Sequence, residues 1–366
     1  MSGRGRRWFA LIAAFLTLVT VTAACGSSDD AKSSNPTAAG GAGTANEAPL
    51  SATLNASGAT FPKAFYEVVI GSYKKVQPGV TVNYAGGGSG QGRTNLQDGV
   101  VDFAGTDGLV KDEDKPKYKG EFLYVPTIAG PITVSYNLPD VRELNLDADT
   151  IAKIFQRQIK NWNDPAIAAL NGGTRLPSTE ITVAHRSDGS GTTENFTKYL
   201  VAAAPNTWTL KSGSTVEWPA DTQAGNGNQG VAQIVKGAVG AIGYVDLSDA
   251  RASNLQFAKV KNKAGKAVAP TVDAATAALG TAQVNPDLTY NPLNADGDAA
   301  YPITAPTWII VYRNQTDKVK GAAIKSFLRY MLTDGQKLAK DLDYAALPAN
   351  LQQRALSQID SIVVPA

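Results

Sequence analysis

The feature that most restricts this chain is a unit used four times: a short strand of alternating apolar residues that ends in glycine and small polar residues, most often opening a helix. At 181–203, Ile181 and Val183 alternate with Thr182 and Ala184, the period of a half-buried strand, and Phe196, Tyr199, Leu200 and Ala203 then recur at helical spacing. Between them lies Arg186-Ser187-Asp188-Gly189-Ser190-Gly191-Thr192-Thr193. Residues 51–62 repeat the plan. Ser57-Gly58-Ala59-Thr60-Phe61 precedes Pro62, placed for a first helical turn, and Phe65, Val68 and Val69 supply the buried face, with Tyr73 and Val76 continuing it. Val80, Val82 and Tyr84 lead into a loop, Gly86 to Gly92, with Arg93-Thr94-Asn95-Leu96 opening the next helix, and Val101 and Phe103 lead to Gly105-Thr106-Asp107. Alternation of this kind predicts an α/β fold, in which ligands bind beyond the carboxyl ends of the strands.

The Arg186 loop offers a helix N-terminus with free N–H groups, a fixed cation and several hydroxyls, and its glycines allow close approach to the backbone. That chemistry suits a small oxyanion, phosphate above all. Ser, Asp and Gly also serve as ordinary helix caps, so the stretch alone leaves a well-capped helix equally open. Recurrence of small polar residues at four strand ends favours the anion. The Gly86–Gly92 loop is neither a P-loop nor G-x-G-x-x-G, and neither Ser89 nor Ser190 lies in a G-x-S-x-G frame.

Further along, Ile132, Val134 and Tyr136 form a strand; Asp149 and Thr150 can cap a helix presenting Ile151, Ile154, Phe155 and Ile159; and a short helix runs through Ile167 and Leu170. Residues 225–230 form a Gly/Asn-rich loop, Gly240 to Val245 a buried strand, and 256–268 a Lys-rich hairpin. Trp308 to Val311 form another buried strand, and Ile324, Phe327, Leu328, Met331 and Leu332 a helical core stripe. The pattern breaks near Pro126 and Pro302.

The chain has 366 residues, 43% hydrophobic and 18% charged, enough for two domains. Arg4, Arg6 and Arg7 precede an uncharged apolar run, Trp8 to Val21, and Thr22-Ala23-Ala24-Cys25: a secretory signal ending at the single cysteine. This end resembles a bacterial lipobox, which implies cleavage before Cys25 and lipid attachment to its thiol. Arg6-Arg7-Trp8-Phe9 also resembles a twin-arginine export signal. Without those three arginines, 31 of the 34 basic residues face 32 acidic ones, a net of −1, and no nucleic-acid footprint emerges. One cysteine excludes an intramolecular disulfide; one cysteine with one histidine argues against a His/Cys metal centre. Residues 26–50, rich in Ser, Ala, Gly, Asn and Thr, read as a flexible tether.

Taken together, Gly58-Ala59-Thr60-Phe61-Pro62, Gly88-Ser89, Val101-Asp102-Phe103-Ala104-Gly105-Thr106-Asp107, Arg186-Ser187-Asp188-Gly189-Ser190-Gly191-Thr192, Gly240-Ala241-Ile242-Gly243-Tyr244-Val245 and Asp341-Leu342-Asp343-Tyr344 resemble the phosphate-binding proteins of Pst-type ABC phosphate importers, from about residue 52 to 360. The resemblance implies a periplasmic-binding-protein-like fold: two α/β domains, 51–128 with 303–366 and 129–302, joined by a hinge around an interdomain ligand cleft. It further implies that Thr60, Ser89, Asp107, Arg186, Ser190, Gly191 and Thr192 hold phosphate, with Phe61 giving its backbone N–H. Gly90-Gln91 stand where the family often has Ser-Gly. The implied partners are inorganic phosphate, the importer's permease and ATPase subunits, and the outer face of the cell membrane through lipidated Cys25. No cofactor, metal or catalytic residue is implied.

Within such a site Arg186 gives paired N–H bonds to two oxygens, and Asp188, two residues on, steadies the guanidinium. Asp107 is the informative member. A carboxylate in an anion site makes sense only if the ligand carries a proton, as HPO4²⁻ and H2PO4⁻ do and sulfate does not. Two alternatives are a secreted phosphatase, which needs a nucleophile with a base or a metal cluster, and an adhesion lipoprotein. The one histidine, His185, alternates to the other face of its strand from Arg186, the place of a satisfied strand residue.

Overall fold

The computed structural model describes residues 48–366, so the signal segment, Cys25 and nearly all of the tether lie outside the described residues. The strands are β1 (Ala52–Gly58), β2 (Val80–Ala85), β3 (Phe103–Thr106), β4 (Phe122–Tyr136), β5 (Asn145–Leu146), β6 (Thr182–Arg186), β7 (Gln223–Gly225), β8 (Ala241–Asp246), β9 (Gln256–Phe257), β10 (Lys259–Lys261), β11 (Ala267–Val268) and β12 (Thr304–Tyr312). The helices are α1 (Lys63–Val76), α2 (Gly88–Asp98), α3 (Ala148–Phe155), α4 (Pro165–Leu170), α5 (Gly191–Ala203), α6 (Gly227–Gly237), α7 (Leu247–Ala252), α8 (Val272–Gly280), α9 (Lys318–Leu332) and α10 (Ala349–Asp360).

The main sheet runs β2-β1-β3-β12-β4-β8-β6-β7, with β9 beside β4, and β11-β10-β5 form a small second sheet. β1, β2 and β3 are mutually parallel, as are β8, β6 and β7. β4 joins the two sets. Its first part pairs with β12 from Tyr312↔Phe122 to Thr304↔Pro131, and its second part pairs with β8 from Ile132↔Asp246. β3 ends opposite Trp308, which itself lies opposite Pro126, and β8 ends at Asp246 opposite Ile132. The carboxyl ends of the two parallel sets therefore face each other across the middle of β4. The chain passes between the halves there and again at Ile303, whose carbonyl accepts from Ile132 N–H at 2.8 Å.

Four expectations need correction. The pattern break near Pro126 is not a strand break: β4 runs through it for 15 residues. The register shifts opposite Thr307/Trp308, so Thr127 is left over and Pro126 lies at a bulge, where a missing N–H costs no ladder bond. Gly86–Gly92 is not all loop, because α2 begins at Gly88 and contains Ser89. Glycine is poor in helices, but a Cβ on Gly92 would lie 2.6 Å from Gly58 Cα and 3.0 Å from Gly105 O, so only glycine lets α2 lie this close to β1 and β3. In α1 the buried face is Phe65, Tyr66, Val69 and Tyr73, whereas Val68 and Val76 are exposed, and Pro62 is the N-cap rather than a first-turn residue. Asp147, not Asp149 or Thr150, caps α3, accepting from Thr150 N–H at 2.8 Å, and Ile159 lies beyond that helix.

Candidate functional site

The strand ends deliver the expected residues to one place. Thr60 lies between β1 and α1, Ser89 is the second residue of α2, Asp107 directly follows β3, and Arg186 is the last residue of β6. Ser190 is the N-cap of α5, with its hydroxyl oxygen accepting Thr193 N–H at 3.0 Å, and Gly191 and Thr192 open that helix. The two groups meet at Gly191, where a Cβ would collide with the Ser89 hydroxyl and lie 2.6 Å from Asp107 Cβ. Gly90 N–H donates to Gly189 O at 2.8 Å, and Asn228 N–H to Thr60 Oγ1 at 3.4 Å. The N-termini of α2, α5 and α6 thus converge with Thr60, each contributing partial positive charge. Phe61 is wholly buried, its ring edge-on to Tyr344 at 5.9 Å and its carbonyl taken by the Tyr344 hydroxyl, so its backbone N–H is the part left to serve a ligand.

Arg186 is 4% exposed, and Ser89, Asp107, Ser190 and Thr192 less. At that burial, charges act on one another with little water between them. Arg186 is gripped by Asp188: Nε donates to Oδ1 at 2.7 Å, and Nη2 donates to Oδ2. Burial alone would raise Asp188, but its bonds from Arg186 and from Gly227 N–H (3.0 Å) outweigh that and hold it below the usual carboxylate range. Nη1 of Arg186 donates to Asn228 Oδ1 at 2.8 Å and reaches Thr192 Oγ1 at 3.4 Å. The paired edge expected to meet two ligand oxygens is thus spent on Asp188, which fixes the guanidinium and offsets its charge, so Arg186 can give an anion only Nη hydrogens outside that fork, beside neutral donors.

Asp107 has the opposite environment. Burial pushes its carboxyl up to about 7, against the Thr307 hydroxyl, Arg186, Ser89 and Arg93, which favour the ionised form. Its backbone N–H donates to Ser89 Oγ at 3.1 Å, and Ser89 Oγ reaches Asp107 Oδ2 at 3.4 Å. Oδ1 is buried without a hydrogen-bond partner. A buried carboxylate oxygen with no donor is costly unless a bound molecule brings one.

The structure adds residues that the sequence reading passed over. Asn228 bridges Arg186 to Asp246, donating to Asp246 Oδ2 at 2.7 Å. Asp246 is buried, and burial together with nearby Asp249 raises its carboxyl well above the ordinary range. The signal for Asn228 was present: Gly225-Asn226-Gly227-Asn228 followed by Val231, Ala232 and Val235 is a fifth strand–loop–helix junction, made by β7 and α6. Asn195 donates to Asp107 O at 2.6 Å, and Tyr344 to Phe61 O at 2.7 Å.

A cleft of about 370 Å³ has Thr60, Lys63, Gly86, Asn226, Asn228 and Asp249 on its wall, so it reaches the site at Thr60 and Asn228, while Ser89, Asp107 and Arg186 lie behind that wall. A larger cavity of about 590 Å³, between Tyr118, Phe122 and Pro286, lies away from them. Contact with Thr60 and Asn228, not size, ties the first to the site. His185 stacks on Trp218 with ring centroids 5.0 Å apart, and its Nε2 lies 3.0 Å from the Thr222 hydroxyl; burial pulls its pKa down. Among the described residues no cluster of His, Cys, Asp and Glu suits a metal ion, and no helix is long and apolar enough to cross a membrane.

Residues 43–335 match the PBP superfamily domain. The chain is 38% identical over 345 residues to the phosphate-binding protein PstS of Methanocaldococcus jannaschii, covering 87% of this chain and 88% of that one. It is 34% identical to phosphate-binding protein PstS 3 of Mycobacterium tuberculosis, covering 93% and 95%. Among solved structures, a high-affinity periplasmic phosphate-binding protein bound with phosphate superposes with a TM-score of 0.71 at 22% identity, over 84% of this chain and 93% of that one. The phosphate-binding protein of Stenotrophomonas maltophilia gives 0.67 at 19%, over 84% and 94%. Sequence and fold agree: this chain belongs to the PstS family of phosphate-binding proteins, within the PBP superfamily.

Proposed function

We propose that this protein binds inorganic phosphate with high affinity outside the cytoplasm and delivers it to the permease of an ABC phosphate importer, whose ATPase subunits drive uptake. The observation that carries the reading is Asp107 Oδ1, a buried acceptor without a donor, set among neutral donors and one paired arginine. A ligand that is an anion and still carries a proton completes this set; phosphate is one, and sulfate at neutral pH is not. Thr60, Phe61 N–H, Ser89, Ser190, Gly191 N–H, Thr192 and Arg186 hold its oxygens, Asp107 takes its proton, and Asp188 supports Arg186. Residues 51–128 with 303–366 form one domain and 129–302 the other, hinged where the chain crosses at the middle of β4 and at Ile303, so that closure shuts out water.

Calorimetric titration of the purified protein with phosphate and, separately, sulfate tests this. Saturable one-site binding of phosphate with sulfate weaker by ~10⁴-fold or more is expected, since a site built around one hydrogen bond strongly rejects the analogue lacking it. Equal binding of both anions, or of neither, contradicts the reading. Release of product from p-nitrophenyl phosphate by pure protein would favour an enzyme; binding without turnover is expected.

The reading also places the protein on the cell membrane through lipid on Cys25, with residues 26–50 as its leash. Cys25→Ser is expected to move the protein from the membrane fraction to the medium without altering phosphate affinity. A variant that stays with the membrane would rule out this anchor.

A further inference from the structure

The turn that carries Asp107 is gripped from two sides by residues outside the ligand set. From α2, Arg93 Nη1 donates to Thr106 Oγ1 at 3.0 Å and to Gly108 O at 3.2 Å, the two residues that flank Asp107. From α5, Asn195 Nδ2 donates to Asp107 O at 2.6 Å and to Gly191 O at 2.9 Å. The two grips join, because Arg93 Nη1 lies 3.7 Å from Glu194 Oε2, with side chains only 16% and 11% exposed. Glu194 Oε1 takes a further bond from Lys198 at 2.6 Å. The fit is tight: a Cβ on Gly108 would lie 2.7 Å from Glu194 Oε1. Arg93 and the Asp107 turn belong to the half of the sheet that holds β1–β3; Glu194 and Asn195 belong to the half that holds β6–β8.

We propose that Arg93 is a positioning residue for Asp107, and that Arg93, Glu194 and Asn195 form a clasp that fastens α5 onto the Asp107 turn when the two halves close. The role assigned to Asp107 here rests on the phosphate reading above. Around the Asp107 carboxyl stand Arg186 from β6, Ser89 and Arg93 from α2, Thr307 from β12, and the phenols of Tyr66 from α1 and Tyr84 from β2. After Arg186, which is paired with Asp188, Arg93 is the second and lesser cation that favours ionised Asp107, and ionised Asp107 is the form that accepts a proton from ligand and repels sulfate. Glu194 offsets part of that cation and is itself held by Lys198.

The test follows the Asp107 carboxyl by carbon NMR in ligand-free wild type, Arg93→Met, Arg93→Lys and Glu194→Gln, alongside phosphate and sulfate titrations of each. Arg93→Met is expected to raise the Asp107 midpoint, as loss of a nearby cation does, by less than loss of Arg186 would. It should also lower the phosphate-over-sulfate ratio at pH 7. Arg93→Lys, which keeps the charge but loses the fork, should restore the midpoint and only part of the ratio. Glu194→Gln should leave the midpoint at or below that of wild type while phosphate dissociates faster. An Arg93→Met midpoint equal to wild type overturns the positioning role, and unchanged dissociation in Glu194→Gln overturns the clasp. Because the NMR midpoint is read without ligand, it stands even if the titrations fail to show phosphate selectivity, a result that would strike the phosphate reading instead.

Discussion

Replacing Arg186 with alanine is expected to weaken phosphate binding by about 2–5 kcal/mol, the usual cost of truncating one partner of a buried, hydrogen-bonded charge pair. Three groups lose their partner together. Asp188, its side chain 10% exposed, is left as an uncompensated carboxylate with backbone N–H groups alone; Asn228 Oδ1 loses its donor; and the ligand set loses its permanent cation. Arg186→Lys should recover only part of the loss, since a single ammonium cannot satisfy the Asp188 fork and Asn228 in the geometry of the planar guanidinium. Arg186→Ala combined with Asp188→Ala separates the causes: if much of the penalty comes from the stranded carboxylate, the double variant binds better than Arg186→Ala alone. Calorimetric affinities for the four proteins decide it. An Arg186→Ala protein that binds phosphate within a few-fold of wild type would remove the arginine from the site.

How far the sequence could be read follows from which contacts are local. The Arg186 junction was legible because its strand period, its loop chemistry and its helical stripe all lie within about twenty-three residues, 181–203, and the structure places β6, the loop and α5 there. Thr60 and Asp107 were legible as residues just past strand ends for the same reason, whereas Ser89 stands inside α2. What failed was decided by distant chain. Gly88–Gly92 has the composition of a loop but is helix, because β1 and β3 receive its bare backbone. Pro126 looks like a breaker but falls at a bulge that only β12 reveals. Tyr66 faces inward in place of Val68 because its hydroxyl meets Thr127 at 3.0 Å on β4, a partner 61 residues away. Asn228 matters because it lies between Arg186 and Asp246, neither of them near it in sequence, and Arg93 because it reaches a turn on the next strand.

Asp107 carries the heaviest claim. Its carboxyl, raised to about 7 by burial, changes form within an accessible pH range. Its raised carboxyl costs the ligand-free protein stability that is fully present below the ordinary carboxylate range, is lost as pH rises from there to about 7, and falls no further above it. Ligand-free Asp107→Asn should therefore melt higher than wild type at pH 8, with the gap narrowing as pH falls below 7 and closing only in the ordinary carboxylate range. Sulfate should bind wild type more strongly as pH falls through 7, because neutral Asp107 offers an O–H where ionised Asp107 offers only repulsion. The expected gain is up to about tenfold per pH unit. Asp107→Asn presents an NH2 at every pH, so sulfate gains a donor and the pH dependence flattens, while phosphate bonds the amide through either end and changes little. Asp107→Ala should instead lose phosphate, whose hydroxyl is left unpaired.

The most direct measurement is the phosphate-over-sulfate affinity ratio of wild type and Asp107→Asn, titrated side by side at pH 8 and fixed ionic strength. A ratio that collapses in Asp107→Asn, through stronger sulfate rather than weaker phosphate, is the predicted result; an unchanged ratio would make Asp107 a structural carboxylate and contradict the account.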